Sequence, residues 1–267
     1  MLISFFSAVL ISMSFRPILD FHPPGTVEVV DNFFYDQNEV SNINWKVYKY
    51  MIGTEFGEDS EEYKSTLLDT EVWLELDGHM GPLVNVYDSH PSYDDYPVVG
   101  VSHDQAKSFC EWRTKAIRKN LKENDIEAPS FEYRLPSLLE WKLIADLGFS
   151  DKTKKKIEKM KKRNTRKNQF SEPLLYNMKS RKIESENPNI KDNYRSTLPA
   201  PSFTYLPNEV GVFNIYGNIA EMVREPGIAV GGSFMHYYDD IVPSNKTIEY
   251  SGPRNWLGFR CVCETNI

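Results

Sequence analysis

Cysteine is scarce in this chain of 267 residues, with three in all: Cys110, Cys261 and Cys263. No Cys-x-x-Cys pair occurs, and the five histidines fall at no HExxH or comparable spacing, which argues against structural zinc. Positive charge is also in deficit. Lys and Arg number 31 against 38 Asp and Glu, a formal net charge of −7 that argues against general nucleic-acid binding. The longest uncharged apolar run, residues 1–15, is too short to span a bilayer comfortably. Internal repeats are lacking too.

What is present suits a globular protein. Hydrophobic residues make up 40% and aromatics 13%, enough for a sizeable core and too much for a disordered chain. Proline and glycine spread through the second half, as in a loop-rich fold. The run 1–15 has the length of a signal-peptide core, but no Lys or Arg precedes it and no small-x-small cleavage site follows. It reads as an export leader over about residues 1–20, or as a buried N-terminal strand. No cysteine follows the run, so a lipoprotein anchor is not supported. Export to an oxidising compartment would permit one disulfide and leave one thiol over.

The patterning predicts a hairpin from 26–30 and 33–35 around Asp31-Asn32, then a helix over 43–50 capped by Ser41 or Asn42. Residues 52–95 are polar and acidic and read as an excursion between core elements, with Trp73 and Leu74 as a short buried piece. Residues 97–102 form an apolar strand. Ser102 with Gln105, and later Ser137 with Glu140, have capping-box spacing. They start helices near 103–118 and 137–147, the first with an apolar face of Ala106, Phe109, Cys110 and Ile117. The strand 131–136 between them stops at proline. Residues 152–168 are crowded with Lys and Arg. Such a cluster can bind phosphates or anionic lipid, and it also reads as a solvated, protease-sensitive insertion.

Four segments carry a family resemblance when taken in order: Arg134-Leu135-Pro136-Ser137-Leu138-Leu139-Glu140-Trp141, Gly217-Asn218-Ile219-Ala220-Glu221, Gly231-Gly232-Ser233-Phe234 and Leu257-Gly258-Phe259-Arg260-Cys261. Together with Glu39-Val40-Ser41-Asn42 they resemble the formylglycine-generating enzyme, or sulfatase-modifying factor, family. A further matching stretch runs from Pro97 to Trp112, with His103 where the family usually has Trp. The resemblance implies one α+β domain over 22–267, with an elaborated C-type-lectin-like fold, little regular secondary structure and a twisted antiparallel sheet. The acidic (52–95) and basic (152–168) inserts lie outside the match.

The resemblance also implies sites. A calcium ion would take the side chains of Asn218 and Glu221 and the carbonyls of Ile219 and Val223, with Asn177 a candidate for the family's other calcium site. Read from the residues alone, Asn218 could instead hold a left-handed turn and Glu221 pair with an arginine. Cys110 and Cys261 occupy positions bridged in several members, or are two buried thiols. Cys263 is expected on the opposite face from Cys261 and to remain a thiol. Arg260 is implied to be structural, satisfying carbonyls in the core.

Active members carry a copper-binding cysteine pair shortly after Gly-Gly-Ser. Here His236 stands at the first position and Ile241 near the second. An imidazole and an aliphatic chain cannot reproduce a two-thiolate copper site, so copper is not expected. His236, with Asp239, Asp240 or Tyr237, could hold another metal or act as a base; a loop histidine is also often only hydrogen-bonded. Three functions follow as expectations: an exported, secreted or periplasmic, non-catalytic component with an envelope or secretion-system partner; a metal-dependent oxidoreductase using His236; or a lectin-like ligand binder. Gliding-motility and type IX secretion lipoproteins are precedents for the first, sharing the opening seen here from Pro23 to Asn42.

Overall fold

A computed structural model describes residues 21–75, 81–166, 175–181 and 198–266; the apolar run 1–15 lies outside them. Strands β1 (Thr26–Val30) and β2 (Phe33–Asp36) form the expected hairpin, with Asn32 at φ +66° in its turn. The register slips between Glu28 and Val30, a bulge that bends the edge strand. Strand β3 (Phe131–Arg134) and the C-terminal β8 (Val262–Thr265) complete a sheet ordered β1-β2-β8-β3, antiparallel throughout. The last strand thus sits in the middle and ties both ends of the chain into one sheet.

A second sheet joins β4 (Ala220–Met222), β5 (Ile228–Val230), β6 (Ile248–Glu249) and β7 (Leu257–Gly258) in the order β6-β5-β4-β7. The expectation of a single antiparallel sheet is corrected here, because β4 and β7 pair in parallel. The α+β class stands.

Helices α1 (Asn42–Phe56), α2 (Glu61–Lys64), α3 (Leu83–Val86), α4 (His103–Glu123), α5 (Leu138–Ala145) and α6 (Asp151–Arg166) make the fold more helical than the sequence suggests. Both capping boxes form: Ser102 Oγ accepts from Gln105 N at 3.2 Å, and Ser137 N donates to Glu140 Oε2 at 2.7 Å. Ser41 caps α1, its N–H and hydroxyl both donating to Asn44 Oδ1. α1 continues six residues beyond Tyr50, and Gly57 at φ +89° ends it.

The described part of the acidic stretch 52–95 contributes a buried cluster of its own. Trp73 packs on Tyr87 with ring centroids 4.6 Å apart, in a core cluster with Val72, Leu83, Val99 and Ile219. Polar ties fasten it: Asn42 Nδ2 donates to the carbonyls of Tyr87 and Tyr93, and Trp45 Nε1 to Thr66 O. Of the anticipated buried pair, Trp73 is buried and Leu74 is exposed, because consecutive residues of a helical turn face different sides. The basic stretch forms helix α6 through Arg166, because Lys, Glu and Met are good helix formers and Ile157 gives it a buried contact.

Cys261 and Cys263 both enter the core cluster built from Trp45, Phe109, Phe131 and Phe259. The expectation of opposite faces fails because residues two apart along an extended strand share a face.

Candidate functional site

Strand β5 runs into Gly231-Gly232, where both residues have positive φ (+81° and +72°). A Cβ at 231 would lie 2.8 Å from the carbonyl oxygen of Ile215, and one at 232 only 2.6 Å from Met178 Cε. Only glycine fits either position, so this pair fixes how the following segment leaves the sheet. Ser233 is fully buried; its hydroxyl lies 2.7 Å from His236 Nδ1 and accepts from Met235 N at 3.1 Å. The His236 carbonyl accepts from Lys179 N, and Tyr238 N donates to Lys179 O, so the 175–181 segment pairs alongside.

The His236 ring stands edge-on to Trp256 at 5.0 Å. Burial, with the Lys179 ammonium nearby, lowers its pKa to about 4, so the imidazole is neutral at physiological pH. Met235, His236, Tyr237, Asp240, Ile241 and Ile248 line a cleft of about 630 Å³. At its rim Arg181 forms a bidentate pair with Asp240 (2.7 and 2.6 Å) and lays its guanidinium 4.4 Å over the Tyr237 ring. Sequence reading singled out His236, Tyr237 and Asp240. It missed Arg181, which lies 59 positions from Asp240 and carries no local signal.

Beneath the Gly-Gly turn lies a buried polar cluster. Asn218, at φ +64°, donates through Nδ2 to Glu39 Oε1 at 2.9 Å, and its Oδ1 accepts from Asn177 Nδ2 (2.9 Å) and Ala200 N (2.7 Å). Asn214 donates to the other Glu39 oxygen at 3.1 Å. Burial raises Glu39 to about 7, against the pull of the Arg260 guanidinium. Glu221 accepts from Arg260 at 2.5 Å, with both side chains shut off from water. Arg260 also donates to the carbonyls of Phe213, Asp36 and Gln37, which is the implied structural role.

These contacts bear on calcium. Asn218 Oδ1 accepts two hydrogen bonds, Glu221 Oε1 is held by Arg260 while its Oε2 is buried without a hydrogen-bond partner among the described residues, and the Val223 carbonyl lies 2.9 Å from His103 Nε2. Calcium takes six to eight oxygen ligands, so an ion at this turn would have to displace these contacts. The Ile219 side chain, as distinct from the carbonyl expected as a ligand, packs in the core with Trp73 and Val99. Asn177 Nδ2 donates to Asn218, and its own buried Oδ1 has no hydrogen-bond partner among the described residues. Among the described residues no group of three or more His, Cys, Asp and Glu side chains is placed to share a metal.

Cys110 and Cys261 are adjacent, Sγ to Sγ 3.0 Å, and both are buried. Burial pushes the Cys110 thiol well up, and Cys263 up to about 12. None of the three cysteines lies in the segment 231–241.

Solved structures that resemble this one have low sequence identity to it. The crystal structure of CarF superposes with a TM-score of 0.50 at 15% identity, covering 87% of this chain and 86% of that one. Treponema denticola variable protein 1 gives 0.46 at 15% identity over 87% and 84%, and PvdO from Pseudomonas aeruginosa 0.37 at 16% over 64% and 63%. No curated protein matches the sequence. The family model described as the sulfatase-modifying factor enzyme 1-like domain matches residues 11–265, and the chain belongs to that family.

Proposed function

We propose that this chain is a non-catalytic member of its family, an exported component that uses the His236 cleft to bind a partner in the cell envelope or its secretion machinery. The observation that carries the reading is the chemistry after Gly232. By the sequence resemblance the place of the first thiolate falls to His236, a neutral imidazole tied to Ser233 and packed on Trp256, and that of the second falls near the buried Ile241. Soft thiolates suit Cu(I); this pair supplies one nitrogen and no sulfur. The cleft instead offers the apolar surface of Met235, Tyr237, Ile241 and Ile248 beside the charged Asp240, Lys246 and Glu249, a mixed lining that suits binding. The apolar stretch 1–15 supports export to a secreted or periplasmic location.

Glu221 serves as an internal counterion for Arg260, and Cys110–Cys261 becomes a bridge in an oxidising compartment. The test is Cu(I) titration in competition with a chromophoric chelator, together with mass analysis of a cysteine-containing sulfatase peptide after incubation. Unconverted peptide and a copper affinity that His236→Ala leaves unchanged support the reading. Conversion of the peptide, or stoichiometric metal lost on His236→Ala, would replace it with a metal-dependent oxidoreductase.

A further inference from the structure

Helix α6 concentrates charge of the sign the rest of the chain lacks. Its residues Asp151–Arg166 carry seven lysines and two arginines against Asp151 and Glu158, a formal charge of +7. The whole chain is −7, so removing the helix leaves −14 for everything else. Ile157 is buried and Met160 half-buried on the inner side, whereas Lys152, Lys154, Lys155, Lys156, Lys159 and Lys162 are all exposed. Asp151 lies 3.5 Å from Lys154, an exposed contact worth little.

The apolar seam faces inward, so the outer face has no hydrophobic anchor to insert, and what it presents is a row of ammonium groups. Lysine dominates over arginine. Compact, mobile point charges suit a diffuse anionic surface better than the planar, bidentate recognition of a single phosphate or carboxylate. No aromatic residue lies in 151–166, so the helix lacks a stacking platform for bases. The acidic remainder would be repelled from an extended anionic surface, which leaves α6 as the side that meets it.

We propose that α6 is an electrostatic docking helix that seats the protein on an anionic lipid surface. It acts independently of the His236 cleft, and neither reading depends on the other.

The test is co-sedimentation of the full chain with phosphatidylcholine vesicles, with and without phosphatidylglycerol, at low and high salt. Binding is expected only to the anionic vesicles and should fade with salt. Replacing Lys155, Lys156, Lys159 and Lys162 together by Gln should weaken it roughly a hundredfold or more, and replacing the same four by Arg should preserve it. Because all four are exposed, the melting temperature should not move. If the fourfold Gln variant does not fold, the pair Lys155→Gln and Lys159→Gln carries the same test with a smaller loss. Equal binding to both vesicle types overturns the proposal, as does anionic binding that the Gln variants leave untouched. Retention of duplex DNA without vesicle binding also overturns it, assigning the helix to nucleic acid.

Discussion

Arg260 and Glu221 meet at 2.5 Å in a site from which both side chains are excluded from water. Thirty-nine positions separate them along the chain, and their contact joins β4 to the stretch just before the C-terminal strand. Removing one partner leaves an unpaired buried charge. Glu221→Ala should therefore destabilise the fold by about 3 to 5 kcal/mol, read from urea melts. Replacing both residues together by apolar ones of similar volume should recover much of that loss. A double replacement no better than the single would mean that the guanidinium's carbonyl contacts, rather than the pair, carry the effect.

Calcium should do nothing to this protein's stability. Ligand binding to the native state raises the melting temperature with concentration, and an ion at this turn would have to compete with the protein partners of Asn218 Oδ1, Glu221 Oε1 and the Val223 carbonyl. Scanning calorimetry with calcium and with a chelator should give the same transition. A calcium-dependent rise that Asn218→Ala abolishes would put the ion back at this turn.

Cys110 and Cys261 are placed to be joined, with sulfurs 3.0 Å apart. Oxidised protein, denatured and alkylated without reductant, should take up one label, at Cys263. Closing a loop of this length should stabilise the fold by about 4 to 5 kcal/mol in the chain-entropy picture. Uptake of three labels would leave the pair as buried thiols.

Glu39 and His236 have opposite pH signatures. Glu39 is raised from an ordinary 4.5 to about 7, so its contribution is full below 4.5 and is lost as pH rises to 7. His236 is lowered from 6.5 to about 4, so its contribution is full above 6.5 and is lost as pH falls to 4. Between pH 4.5 and 6.5 the two slopes oppose each other. Glu39→Gln should make stability rise with pH in that window, and His236→Asn should make it fall. Denaturant midpoints at several pH values check this; parallel curves for the two variants would contradict it.

Local signals in the sequence were reliable where neighbours along the chain decide the structure. Ser102 with Gln105 and Ser137 with Glu140 start helices because a hydroxyl and a carboxylate or amide three residues on reach each other's backbone N–H groups. The Asp31-Asn32 turn, the strands around it and the arginine–carboxylate reading of Glu221 were legible for similar reasons. The end of α1 was harder. Gly53 and Thr54 look like breakers, but Gly53 meets the Tyr63 ring of the following turn, where a Cβ would lie 3.0 Å away.

Charge and polarity misled where a distant partner sets the outcome. Acidity hid the cluster around Trp73, because its partners Val99 and Ile219 come from other parts of the chain. Arg181 on Asp240, His103 on Val223 and Glu39 between Asn214 and Asn218 have no short-range signature.

The sequence by itself determined the family, the helix starts, the paired glycines and the loss of thiols after Gly232, since each depends on residue chemistry at short spacing. Only the tertiary structure decided how the oxygens of the Asn218–Glu221 turn are used and what surrounds His236. Those outcomes depend on which side chains from remote segments arrive first to satisfy a buried charge or amide, and burial makes one satisfied arrangement far more stable than any unsatisfied one.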